Sequence, residues 1–187
     1  FGGTSVGDQA AIDRLTSTVR AARQAAIQPE SPDWRGPIVV VSALGGTTDR
    51  FLAAAAAAGA GDIADASETL AALRARHLEV AGIVSDTTER GEVDAFIAQE
   101  FDELDRLVGA LGVLREVTPR WLDAIAATGE ILSSRIVAAA LNTRGLPGSY
   151  VDARRAIVTG PDHTAAPPLM AETTATLSAV MDPLLAE

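Results

Sequence analysis

The chain has 187 residues, 48% of them hydrophobic and 21% charged, a balance that fits a globular core and argues against disorder. A formal charge of −10 argues against a nucleic-acid partner, because phosphate backbones need clustered cations. Cysteine is absent and all 15 basic residues are arginine, so disulfides, thiolate metal sites and any chemistry that needs a lysine are excluded within this sequence.

The chain opens "FGGTSV", two glycines and two hydroxyl residues leading into a helical pattern. Ile12, Leu15, Val19, Ala22 and Ala26 then recur at three- and four-residue steps, the period of an amphipathic helix, with Asp8 placed to cap it. "QPESPDWRGP" is a polar, proline-rich connection. The continuous run from Ile38 to Ala43 predicts a strand buried on both faces. It ends at Gly45-Gly46-Thr47-Thr48-Asp49, and a second helix is expected from about Arg50.

Residues 62–114 are helical in pattern and rich in acids. Leu70, Leu73, His77 and Val80 form one stripe; Val93, Phe96, Ile97, Phe101, Leu104 and Leu107 form another. The pair predicts an inserted helical hairpin. Thr118-Pro119 is a good helix start, and the helix should run to about Arg144, with Gly145 as its stop. "GSYVDA" and "AIVTG" are short strand candidates, and a last helix is expected from about Leu169. No run of about 18 apolar residues is seen, so no membrane span is expected. No secretory leader is visible, and a cytoplasmic location is the expectation.

Strand–turn–helix repeated in this way predicts an α/β domain with a mainly parallel sheet covered by helices. Ligands then sit at the carboxyl ends of strands, where the two glycine-rich turns fall. "FGGTSVG" is neither a Walker loop nor a dinucleotide fingerprint. It is either a tight turn or an anion cradle, in which glycines admit an oxyanion to backbone N–H groups at a helix start. "SALGGTT" repeats the form. In "ATGEILSSR", Gly129 interrupts a strong helix at a cost of about 1 kcal/mol, so a close neighbour is expected there. Glu130 beside it is a ligand-binding carboxylate or a solvated one. His77 and His163 lack metal-ligand spacing and read as structural, as does "QEFDELDR" as a solvated helix face. Asp152-Ala153-Arg154-Arg155 is either structural or turned toward a ligand or partner chain.

Taken together, "FGGTSV", "VVVSALGGTTD", "TGEILSSR" and "GLPGSYVDAR" resemble the aspartokinases. The resemblance covers nearly the whole chain, and the long helical segment is similar to that of the lysine-sensitive, plant and bifunctional members. It implies a three-layer α/β/α amino-acid-kinase (carbamate-kinase-like) fold, incomplete here, with the hairpin at about 62–117 inserted. It implies that 1–187 is the N-terminal, aspartate-binding part of the kinase domain. The phosphate-contacting lysine before Phe1, the nucleotide-binding part and the ACT domains would lie outside, so this part alone is expected to be inactive.

The implied activity is transfer of the γ-phosphoryl group of ATP, with Mg2+, to the side-chain carboxylate of L-aspartate, in lysine, threonine and methionine synthesis. Phe1, Gly2, Gly3, Thr4 and Ser5 match the phosphate loop. Ser42 and Thr48 match positions near the aspartate and the transferred group, and Glu130 matches the carboxylate that engages the aspartate ammonium. A homo-oligomer, dimer or higher, is implied for the full protein. Two alternatives stay open: another amino-acid-kinase-fold enzyme, or a non-catalytic module that pairs with other subunits.

Overall fold

The computed structural model describes residues 1–26 and 36–186, so most of the proline-rich connection lies outside the described residues. Among the described residues, six α-helices carry the architecture: α1 (Gln9–Ala26), α2 (Thr47–Ala60), α3 (Ile63–Ala81), α4 (Thr87–Leu114), α5 (Pro119–Asn142) and α6 (Met170–Ala186). Their starts follow local chemistry. The Asp8 carboxylate accepts from the Ala11 N–H at 2.7 Å, Asp62 caps α3, and Asp86 accepts from the first turn of α4. Thr118 stands at the start of α5 with Pro119 next, although its hydroxyl makes no capping bond. Gly145, at φ +71°, follows the end of α5, a left-handed conformation that glycine adopts without strain.

Helices α2 to α5 pack on one another around a common core. Phe51 of α2, His77 of α3 and Phe101 of α4 meet there, with ring centroids 5.6–6.3 Å apart. Leu70, Leu73, Ile97, Leu104, Ile125, Leu132 and Ile136 surround them, all buried. The two stripes expected of the hairpin are therefore the faces that α3 and α4 bury. Ion pairs tie the outside: a half-buried one from Arg135 of α5 to Glu89 at 2.9 Å, and one from half-buried Arg144 to exposed Asp13 of α1 at 2.8 Å. By length and composition α5 could cross a membrane, but its most apolar stretch is mostly buried inside the protein, as a core helix requires.

The expected sheet is not there. Among the described residues there are no strands, and the only ladder contact is an isolated antiparallel bridge between Thr159 and Pro168. A three-layer α/β/α arrangement is therefore not seen, and "GSYVDA" and "AIVTG" form no ladder. The former leads into a 3₁₀ turn at Ala153–Arg155, where Asp152 caps the turn and Arg154 folds back on it at 2.6 Å. The run at Ile38–Ala43 is not buried on both faces either. Val39 and Val41 pack on the core, while Ile38 and Val40 are 64% and 73% exposed. A strand is defined by its backbone ladder, and among the described residues this segment has two backbone bonds to Phe1 and no ladder. The Phe1 nitrogen donates to the Val40 carbonyl at 2.6 Å, and the Ser42 N–H donates to the Phe1 carbonyl at 2.9 Å. Those two bonds have the form of a single parallel pairing, too short to make a ladder.

Candidate functional site

The two glycine-rich turns lie against each other. Gly3 opens a 3₁₀ turn at Gly3–Ser5, and its carbonyl accepts from the Gly45 N–H at 3.1 Å. A Cβ on Gly3 would stand 2.8 Å from the Ala43 carbonyl oxygen and 3.0 Å from the Gly45 Cα. Only glycine allows that approach. Phe1, Gly2 and Gly3 are in this way brought beside residues 40–45, with Thr4 exposed and Ser5 half-buried. Gly46, left-handed at φ +75°, then turns the chain into α2, so that Thr47 and Thr48 form the start of that helix. The first N–H groups of a helix have no intrahelical partner and carry a positive partial charge. The Thr47 N–H bonds to the Leu44 carbonyl at 2.9 Å, and its buried hydroxyl finds no partner.

Helix α5 forms the third wall. The Glu130 carboxylate accepts from the Ala43 N–H at 3.3 Å, and the Ser133 hydroxyl donates to the Ser42 carbonyl at 2.8 Å. Gly129 now has its reason. A Cβ there would stand 2.7 Å from the Ala43 Cβ, so the missing side chain is what lets the turn rest on the helix. Ser134 folds back on the Glu130 carbonyl at 2.6 Å and meets the Tyr150 phenol, which burial pushes above its usual range. The structure thus gathers Phe1, Gly2, Gly3, Ser42 and Glu130 about one turn. Thr48 stands next to it at the start of α2, half-buried.

One contact at this turn had no sequence signal. The Arg76 guanidinium of α3 donates to the Gly45 carbonyl at 2.8 Å. Arg76 belongs to no motif, and its period only set it beside the buried stripe. The remaining candidates stand apart from the turn. His77 is fully buried, and burial holds its imidazole down at about 4 against a Leu73 carbonyl bond that favours protonation. His163 pairs with Asp123 at 2.8 Å on the surface. Glu100, from the run expected to be a solvated helix face, is half-buried, and its carboxyl is raised by that burial and by Glu103. No group of three or more His, Asp or Glu side chains among the described residues could hold a metal ion.

What the turns and the carboxylate bring together is the start of α2 and an anion, the Glu130 carboxylate. The sequence profile of the amino acid kinase family matches residues 1–183. This chain belongs to that family. Within it, the chain is similar to Aspartokinase 3, chloroplastic, of Arabidopsis thaliana, 31% identical over 168 residues. That match covers 88% of this chain and 27% of the relative. Aspartokinase of Schizosaccharomyces pombe is 30% identical over 158 residues, 81% of this chain and 29% of its own length. The resemblance to aspartokinases drawn from the motifs is thereby borne out. The chain spans well under a third of these relatives' length.

Among solved structures, E. coli aspartokinase III in complex with aspartate and ADP superposes with a TM-score of 0.84 at 22% identity. The superposition covers 100% of this amino acid kinase chain and 37% of that one. The same enzyme in complex with lysine and aspartate also gives 0.84. At that identity the likeness is one of fold.

Proposed function

We propose that this chain is the aspartate-binding part of an ATP-dependent aspartate kinase, which forms 4-phospho-L-aspartate at the entry to lysine, threonine and methionine synthesis. The observation that carries the reading is the Glu130 carboxylate held against the second glycine turn through the Ala43 N–H at 3.3 Å. It puts a fixed anion beside N–H donors, which is what a zwitterionic, dicarboxylic substrate needs. The E. coli enzyme of like fold was solved with aspartate and ADP, which supports the same ligand class.

In this reading Glu130 engages the aspartate ammonium, and Ser42 and Thr48 lie beside the accepting carboxylate and the transferred group. The backbone of Phe1, Gly2 and Gly3, with Thr4 and Ser5, faces the ATP phosphates. A carboxylate oxygen forms a bond to the γ-phosphorus as the bond to the ADP oxygen breaks, so ADP leaves and no proton need move. Such a transfer depends on positioning and on neutralising charge more than on covalent help. Mg2+ would travel with ATP as part of the substrate, bridging its phosphates.

Glu130→Gln in the full-length protein tests the reading. The amide still accepts from Ala43, but the charge is gone. A charge-assisted bond is worth roughly 1.5–3 kcal/mol, so the aspartate KM should rise about ten- to hundredfold while the ATP KM barely moves. An unchanged aspartate KM, or equal weakening of both substrates, overturns the assignment.

A further inference from the structure

The second glycine turn is held from three directions, and two of them belong to the site already described. The Gly45 N–H is tied to Gly3 of the first turn, and residues 42–43 are tied to Ser133 and Glu130 of α5. The third tie comes from the helical hairpin, through Arg76 to the Gly45 carbonyl at 2.8 Å. Both polar groups of one peptide-linked residue are thus fixed from opposite sides. Gly45 cannot rotate without breaking one of them.

The same helix also reaches the start of α1, just after the first turn. Gln9, at the start of α1, donates its side-chain amide to the Glu79 carbonyl at 2.9 Å. Residues 76 and 79 are one helical turn apart, so adjacent positions on α3 meet the second glycine turn and the start of α1. Their groove is lined by Gly7, Asp8, Gln9, Arg76 and Glu79. The packing at Gly82 is close as well, since a Cβ there would stand 2.8 Å from the Gln9 amide nitrogen. The hairpin therefore braces the second turn and the start of α1 against a common support.

We propose that Arg76 is a positioning residue for phosphoryl transfer, which sets the second glycine turn against the first by holding the Gly45 carbonyl. The inference rests on the kinase reading for its chemistry and on the geometry alone for the brace. Arg76 touches neither reacting group. It acts by aiming the Gly46–Thr48 backbone, where the helix α2 N–H groups begin, at the same space that Phe1–Ser5 faces. A guanidinium suits the task because its planar fork loses little freedom on bonding and its charge strengthens the bond to a carbonyl.

The test uses the full-length protein with Arg76→Met, Arg76→Lys and, as a control on the same helix, Arg74→Met. Arg74 pairs only at 3.5 Å with Asp102 on the outside of the hairpin. Two readouts are taken. Amide hydrogen exchange over residues 42–48 should speed up in Arg76→Met by about tenfold, as expected for loss of one charge-assisted bond, with residues 93–111 unchanged. Arg76→Lys should recover part of that protection, and Arg74→Met should leave it alone. Steady-state kinetics should show kcat for aspartate phosphorylation falling about tenfold in Arg76→Met, with partial rescue by lysine.

Unchanged exchange at 42–48 overturns the brace. Faster exchange with unaltered kcat and KM overturns its catalytic meaning. A wild-type protein that shows no aspartate-dependent ATP turnover overturns the kinase reading, while the exchange data still decide whether Arg76 holds the turn.

Discussion

The hairpin of α3 and α4 and the pair of glycine turns lie side by side but are held by different forces. The hairpin is held by apolar volume, with Leu70, Leu73, His77, Ile97, Phe101 and Leu104 interlocked against α2 and α5. The turns add Val6 and Leu44 to that core, but their glycine backbones are placed by single polar contacts. They are held by bonds between backbone groups and single side chains: Gly3 on Gly45, Arg76 on Gly45, Glu130 on Ala43, Ser133 on Ser42. Apolar packing tolerates drift and resists unfolding. A set of individual polar ties resists drift but adds little to stability, since each is worth only about 1 kcal/mol net when neutral. Substitutions in the two regions should therefore fail in different ways.

The largest loss is expected in the hairpin. Phe101→Ala empties a fully packed site between Phe51 and His77 and should cost about 3–5 kcal/mol, read as a lowered denaturant midpoint. If the midpoint hardly moves, the hairpin core is not what holds the domain together.

Next comes acid. His77 is buried with its ring held at about 4, below its unfolded value of 6.5. A lowered folded value means the unfolded chain binds the proton first, so stability falls as pH drops from about 6.5 toward 4. Across that window the loss is roughly 3 kcal/mol. His77→Leu should flatten this part of the stability–pH curve, leaving only the carboxylate titrations below. A curve of the same slope in the variant would show that another group governs it.

Gly129→Ala acts where the two regions meet. The added methyl stands 2.7 Å from the Ala43 Cβ, and such overpacking costs about 1–3 kcal/mol, offset by about 1 kcal/mol of better helix propensity. The net loss of stability should be small and the rise in aspartate KM larger, because the turn must move. Equal aspartate KM in variant and wild type would mean that the turn can shift without consequence.

The smallest effect is expected at Thr47. Its hydroxyl is buried without a partner, so Thr47→Val should be neutral or stabilising by up to about 1 kcal/mol in a thermal melt. A clear destabilisation would show that the hydroxyl has a role the packing does not reveal.

The helices were legible because their evidence is local and repeated. Ile12-Leu15-Val19 announces α1 and Leu70-Leu73-His77 announces α3 by spacing alone, and Pro119 and Gly145 mark the limits of α5. Gly129 was legible too, as an odd glycine in a strong helix, though the sequence could not name Ala43 as its neighbour. The strands were misread because β-branched composition is only half of what makes one. Ile38–Val41 has the composition, but Ile38 and Val40 face solvent and no ladder forms among the described residues. Arg76 was invisible for a related reason. Its partner is a backbone carbonyl 31 positions away, and a carbonyl has no letter in the sequence.

Those separations bear on the order in which the molecule assembles. The hairpin joins neighbours in sequence through a short turn. The ties at the glycine turns join residues 39 apart at Phe1 and Val40, 87 apart at Ala43 and Glu130, and 91 apart at Ser42 and Ser133. Each closes a long loop whose entropy is lost before its bond returns anything, and that bond is weak. Helices α3 and α4 can therefore find each other while the ends of the chain still wander. The ties of α5 to the second turn close the longest loops of all, so the cradle is expected to be complete only after the hairpin has formed.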